Sequence, residues 1–134
     1  MVLIETDVVI ALASKTDKHH EDVKKLLDRL AITELSPYSL IELDLLITSR
    51  SLIVKIPDFY QALNDVLEYY KISVLAPRPS HFIEAWNLRK RYNLTFFDSL
   101  HAATALEEEE VLVSYDKTYS RVKELKYKHP SSLL

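Results

Sequence analysis

Acidic side chains normally avoid buried surroundings, yet Glu5, Asp7, Glu42, Asp98 and Asp116 all stand beside apolar runs in this chain. They recur where hydrophobic strand signals give way to helix signals. Carboxylates gathered at one edge of a parallel sheet repel one another and raise each other's pKa, and a divalent cation relieves that repulsion. Hard cations such as Mg²⁺ or Mn²⁺ take oxygen ligands in near-octahedral geometry. Held by three or four carboxylates, such an ion activates water, orients it for in-line attack and offsets charge on phosphoryl oxygens, with no lysine or histidine base required. The expected chemistry is metal-dependent cleavage of phosphodiester bonds.

The elements that must position these residues follow from hydrophobic patterning. Val2 to Glu5 is continuously apolar up to its last residue, as in a central parallel strand covered on both faces. Thr6 or Asp7 is expected to cap a helix over Val8 to Ala13, and Asp17 a second from about Lys18 to Leu30, with Val23, Leu26, Leu27 and Leu30 at helical spacing. Ala31 to Leu35 is a weaker strand signal. Ser36-Pro37 then reads as a cap followed by proline at the first helical position. The helix after it, within 37–52, is so apolar that Glu42 and Asp44 lie embedded among aliphatic residues.

Further helices are expected from Pro57 or Asp58 to near Tyr70, from Ser80 to about Tyr92, and from near Asp98 to Glu108. Ile72 to Leu75 and Val111 to Tyr115 read as strands, and Asp116 follows the second. Thr118 to about Lys126 reads as a last short helix, before a tail that is loose or holds one more strand. Strands alternating with helices imply a mainly parallel sheet, whose ligands sit outside the carboxyl ends of the strands. That rule alone brings Asp7 and Asp116 to a common edge; Glu42 and Asp98 need the fold to carry them there.

The chain has 134 residues with no linker or internal repeat, which predicts one domain over 1–134. No apolar run approaches the roughly 20 residues needed to cross a membrane. The N-terminal Met-Val-Leu-Ile lacks the basic stretch of a secretion signal, and cysteine is absent. A cytoplasmic location is therefore expected. Glycine is absent too, which rules out a glycine-rich phosphate loop and a dinucleotide fingerprint. Helices are then expected to end at Asn or Pro, or by fraying. The lack of glycine and the wealth of Ile, Leu, Glu and Lys suggest a thermophilic source. The net charge of −3 neither advertises nor forbids nucleic-acid binding, because local distribution governs steering.

Plainer roles stand beside each of these assignments. Asp98 fits the first turn of a helix, where its charge suits the dipole, and Asp116 fits a turn at a strand end. Among the remaining polar residues, His19-His20 are adjacent on a helix and so face different ways. His101 reads as a packed or solvated histidine, and Glu107 to Glu110 as a solvated helix end. Arg89-Lys90-Arg91 with Tyr92, and Lys117, Arg121, Lys123, Lys126 and Lys128, suit either an RNA backbone or plain solvation. Tyr69, Tyr70, Tyr115 and Tyr119 suit base stacking or a core.

Four strings in order, Ile4-Glu5-Thr6-Asp7-Val8-Val9-Ile10, Ile41-Glu42-Leu43, Phe97-Asp98-Ser99-Leu100-His101-Ala102-Ala103-Thr104-Ala105 and Leu112-Val113-Ser114-Tyr115-Asp116-Lys117, resemble a PIN domain, in particular the VapC-like toxin ribonucleases of toxin–antitoxin pairs. The resemblance spans about Val2 to Val122. It implies a three-layer α/β/α sandwich with a four- or five-stranded, mainly parallel sheet. It also implies a Mg²⁺- or Mn²⁺-dependent endoribonuclease, a homodimer and a cognate antitoxin protein in a groove of the toxin. The expected catalytic residues are Glu42, Asp98, Asp116 and Glu5, with Asp7 completing the metal set. Glu5 stands where the family usually has Asp, one methylene shorter. The backbone accommodates it, Asp7 takes more of the load, or activity falls. Thr6, Thr95, Ser99 and Ser114 are placed to support the ligands or to serve as caps. The helices within 37–52 and 58–70 are candidate contact surfaces for the second copy or the antitoxin. The rival from another class is an RNA- or partner-binding regulatory protein with a degraded nuclease site. A phosphoacceptor signalling domain is a third, for which the strings around Asp98 and Asp116 give no support.

Overall fold

The computed structural model describes residues 1–134. Five short strands form one sheet, β1 (Val2–Ile4), β2 (Thr33–Leu35), β3 (Ser73–Val74), β4 (Val111–Val113) and β5 (Tyr127–Lys128), in the order β3-β2-β1-β4-β5. Every pairing is parallel, with Val2, Leu3 and Ile4 opposite Thr33, Glu34 and Leu35 on one side and Val111, Leu112 and Val113 on the other. Six helices cover the sheet: α1 (Thr6–Ala13), α2 (His20–Arg29), α3 (Tyr38–Thr48), α4 (Asp58–Tyr69), α5 (Pro79–Tyr92) and α6 (Phe96–Glu107). The result is an α/β/α sandwich.

Because side chains alternate along a strand, each central strand feeds two cores. Ile4, Leu35 and Val113 join Val8, Leu12, Leu26, Leu43, Phe59 and Leu63 on the face of α1, α2 and α4. Leu3 and Leu112 join Ala85, Leu88, Leu100 and Tyr119 on the face of α5 and α6. Burial on both sides explains why these strands read as unbroken apolar runs. The chain winds outward from β1 to β3, then returns to place β4 on the free side of β1. The crevice between the carboxyl ends of β1 and β4 is thus the point where strand order reverses, and ligands bind at such a point.

Local details differ from expectation. Glu5, not Thr6 or Asp7, caps α1: its carboxylate accepts from Asp7 N at 3.0 Å. Asp17 accepts from His19 N at 2.8 Å, one turn before α2. The strand expected to reach Tyr115 ends at Val113, and a 3-10 helix over Lys117–Arg121 replaces the longer last helix. Ser36 does not cap α3; its hydroxyl is drawn to His101. Of the helix ends, α5 closes at Asn93, as expected, while three others close at residues that were not expected. Arg50, Lys71, Asn93 and Glu109 take left-handed backbone (φ from 54° to 63°) at the ends of α3, α4, α5 and α6, although only Asn adopts this readily. At α4, Lys71 N bonds Glu68 O and Ile72 N bonds Leu67 O; at α6, Glu109 N bonds Leu106 O and Glu110 N bonds Ala105 O. These are Schellman turns built without glycine.

The α6 turn swings Glu110 inward. Its residue is 3% exposed and neither carboxylate oxygen has a hydrogen-bond partner. Burial, then the Glu34 carboxyl across β1, push its pKa up to about 8. The expectation of a solvated acidic run therefore fails at Glu110, because the geometry of the turn and not polarity decides where this residue points.

Candidate metal centre

At the carboxyl end of β1 the strand turns directly into α1, so Glu5, Thr6 and Asp7 sit at the mouth of the crevice. Glu5 is 5% exposed. Its Oε1 accepts from Asp7 N, while Oε2 accepts from Ser114 Oγ at 3.0 Å and Tyr119 Oη at 3.2 Å. Ser114, just past β4, also lies 2.9 Å from Asp7 Oδ2, which accepts from Tyr115 N at 3.0 Å. With a single proton, the Ser114 hydroxyl serves one carboxylate at a time. Asp7 Oδ1 is buried and has no partner.

The other wall comes from α3 and α6. Glu42, half-buried on α3, accepts on Oε1 from the Thr6 hydroxyl and from His101 Nε2, the latter at 2.9 Å. His101 is fully buried, and its Nδ1 lies 2.7 Å from Ser36 Oγ. Glu5, Glu42 and His101 form a group whose potential ligand atoms all lie within 4.8 Å of one another. Asp98, in the first turn of α6, accepts from Tyr119 Oη at 3.3 Å, so one phenol bridges it to Glu5. Asp116 joins the cluster by its backbone N, 3.0 Å from Ser114 Oγ, while its Oδ1 caps the 3-10 helix through Thr118 N at 2.9 Å.

The electrostatics show a surplus of negative charge in a dry place. Burial, with the Glu42 charge adding to it, raises the pKa of Glu5 against the pull of His101. Burial and the Glu5 charge push Asp7 up to about 7. Burial, with Asp116 adding, raises Asp98. For His101, burial favours the neutral ring, but the Glu42 hydrogen bond and the charges of Glu5, Glu42 and Asp98 outweigh it and raise its pKa. Glu42 moves the other way: burial opposes ionisation, and the His101 and Thr6 hydrogen bonds overcome it and lower the pKa.

Two members of this cluster were not foreseen as site residues. His101 lies three residues after Asp98, and such neighbours share a helix face, so the signal was present. Tyr119 carries no local signal; only the fold brings it to Glu5. Of the expected supporting hydroxyls, Thr6 and Ser114 bond the carboxylates, and a Thr95 side-chain hydrogen bond to Asp98 works against the rise that burial causes in its pKa. Ser99 instead accepts from Arg89 Nε at 2.7 Å and donates to Phe96 O.

An orphaned carboxylate oxygen and carboxyls driven toward protonation mark a site that fits a cation, and a donor set dominated by oxygen suits Mg²⁺ or Mn²⁺.

Comparison with known proteins agrees with this fold. Among solved structures, the chain is similar to VapBC2 from Rickettsia felis bound to a promoter DNA fragment (TM-score 0.75, 16% identity, covering 96% of this chain and 98% of that one). It is also similar to VapC20 of Mycobacterium tuberculosis, a Sarcin-Ricin loop cleaving toxin (0.73, 18%, 90% and 94%). A third is PAE2754 from Pyrobaculum aerophilum (0.66, 18%, 98% and 90%). No curated protein matches the sequence. The family model described as "PIN domain" matches residues 2–125, and with the carboxylate crevice at the β1/β4 switch, the chain belongs to the PIN domain family.

Proposed function

We propose that the chain is a metal-dependent endoribonuclease, the toxin of a toxin–antitoxin pair. The observation that carries this is the group formed by Glu5, Glu42 and His101 within 4.8 Å, with Asp98 and Asp7 each one bridging hydroxyl from Glu5. Mg²⁺ or Mn²⁺, when bound, supplies the Lewis acidity that activates water and offsets charge on phosphoryl oxygens. The residues to hold it are Glu5, Asp7, Glu42 and Asp98, with Asp116 at the margin. His101 donates to Glu42, so its task is to aim that carboxylate, and Ser36 in turn fixes the ring. Thr6 adds a second donor to Glu42. Tyr119 and Ser114 keep Glu5, Asp7 and Asp98 facing one space, where a phosphodiester meets them.

Glu5 fits the usual aspartate position by folding back: one oxygen caps α1 and the other reaches Ser114 and Tyr119. The antitoxin's place in this reading is the cavity of about 790 Å³ between α1, α2 and α4, lined by Leu12, Ala13, His20, Val66, Tyr69 and Tyr70. The second copy's place is the face bearing Ile41, Leu45, Phe82 and Ile83, all exposed on α3 and α5. Phe82 meets Tyr38 edge-on, which joins the two helices there.

Incubation of a mixed RNA pool with the purified protein tests the reading. Cleavage in Mn²⁺ that stops with EDTA and with Asp98→Asn is the expected outcome. RNA or partner binding that survives metal removal, with no cleavage by wild type or Glu5→Asp, sinks it in favour of a regulatory protein with a degraded site.

A further inference from the structure

The basic run in the last turn of α5 does not act as a unit. Arg91 pairs with Glu124 at 2.8 Å and lies over Tyr92, and Arg121 donates to Tyr92 O; those cations are spent inside the protein. Arg89 differs. Its Nε donates to Ser99 Oγ, and its guanidinium lies 4.8 Å from the ring centre of Trp86 and 4.9 Å from that of Phe96. No protein acceptor meets Nη1 or Nη2, and Nη2 is cut off from water. The two flanking rings are largely open to solvent, Trp86 62% exposed and Phe96 56%. Two adjoining open rings thus frame one guanidinium whose Nη1, unlike the buried Nη2, is left as a charged donor for an anion.

The location gives this cluster its meaning. Ser99, which fixes Arg89, follows Asp98 in the first turn of α6, and Phe96 opens the same turn. Arg89 is thus tied to the same turn that carries Asp98 into the crevice. We infer that Arg89, Trp86 and Phe96 form a subsite for single-stranded RNA, in which Arg89 takes a phosphate beside the scissile one and the two rings stack unpaired bases. Stacking on protein aromatics needs free base faces, which a duplex keeps buried in its own stack. The inference rests on the ribonuclease reading for its substrate. It adds which side chains hold the strand beside the cut, assigning one arginine of the basic run and two rings to the task.

Fluorescence anisotropy with a short mixed-sequence RNA, single-stranded or annealed to its complement, tests this. The measurement is made in EDTA so that no strand is cut. Arg89→Gln, Trp86→Ala and Phe96→Ala are each expected to weaken single-strand binding about tenfold, within the range for loss of one stacked base. Duplex binding is expected to stay within about twofold, and Arg89→Gln to lower the salt slope by about 0.7, the value for one phosphate on a single strand. Light scattering on the same samples reads the oligomeric state. Unchanged RNA binding in all three variants overturns the inference. So does a loss of binding that appears only with dissociation of a dimer, which assigns the cluster to a second copy. Cleavage in Mn²⁺ is scored separately: RNA binding lost with these side chains in a protein that cuts nothing leaves the subsite standing and removes the nuclease reading.

Discussion

His101 donates to the Glu42 oxygen that also receives the Thr6 hydroxyl, so its removal leaves Glu42 free to rotate away from Glu5. Substitution of a residue that orients a metal ligand costs 10- to 100-fold in metal affinity or activity. His101→Ala is expected to weaken Mn²⁺ binding by about that factor, read by calorimetry, with the fold retained by circular dichroism. Asp7 supplies a pH-dependent counterpart. Its pKa is about 7 in the folded protein against an ordinary 3.8, so the folded state holds a proton that the unfolded chain releases. In the metal-free protein this contribution to stability is full below about 3.8 and is lost as pH rises toward 7. A cation takes the proton's place, so Mn²⁺ is expected to raise the melting temperature more at pH 8 than at pH 5. An equal rise at both values contradicts the assignment of Asp7 to the metal set.

Among the elements, β4 and the turn before it show how local geometry overrules residue type. Glu110 is held to a pKa of about 8 by burial and Glu34, above the 4.5 of the free side chain. Folding is therefore penalised increasingly from about pH 4.5 to 8, and the penalty levels off beyond. Urea unfolding is expected to show wild type losing more stability than Glu110→Gln between pH 7 and pH 8, above the span in which Asp7 gives up its proton. On the opposite face of the sheet, Leu43 is fully buried one residue after Glu42, and Leu43→Ala should cost about 2–5 kcal/mol in the same assay. The strands and helices were legible because apolar runs and 3.6-residue periodicity dominate 1–113. Asp7 and Asp116 could be placed at one sheet edge from strand ends alone. Glu42 and Asp98 were legible only through their strings. What escaped was set by distance along the chain or by backbone conformation: Tyr119 meets Glu5 across more than a hundred residues, and Glu110 follows a left-handed residue that no glycine announces.

For the molecule as a whole, two cores share the strands β1 and β4, so neither face can melt alone without stripping the other. We propose that residues 1–134 fold as one domain, and a single urea transition reported identically by Trp86 fluorescence and far-ultraviolet dichroism is the expected result. No helix is long and apolar enough to cross a membrane. We propose that Ile41, Leu45, Phe82 and Ile83, exposed on α3 and α5, face a second copy. Ile83→Glu, at a position 66% exposed, is expected to convert a dimer to a monomer by light scattering while leaving the thermal midpoint of the monomer unchanged.

The left-handed residues closing four helices have a consequence for how the chain tolerates change. At Lys71 the backbone sits at φ 56° with a β-carbon present, a posture that costs on the order of 1–2 kcal/mol outside glycine. Substituting glycine there would relax the folded form and, in the same stroke, widen the random coil by a comparable amount. The two effects nearly cancel, so evolution gains little at these corners by admitting the most flexible residue. A polypeptide can then dispense with glycine altogether and keep the sharp reversals its topology demands.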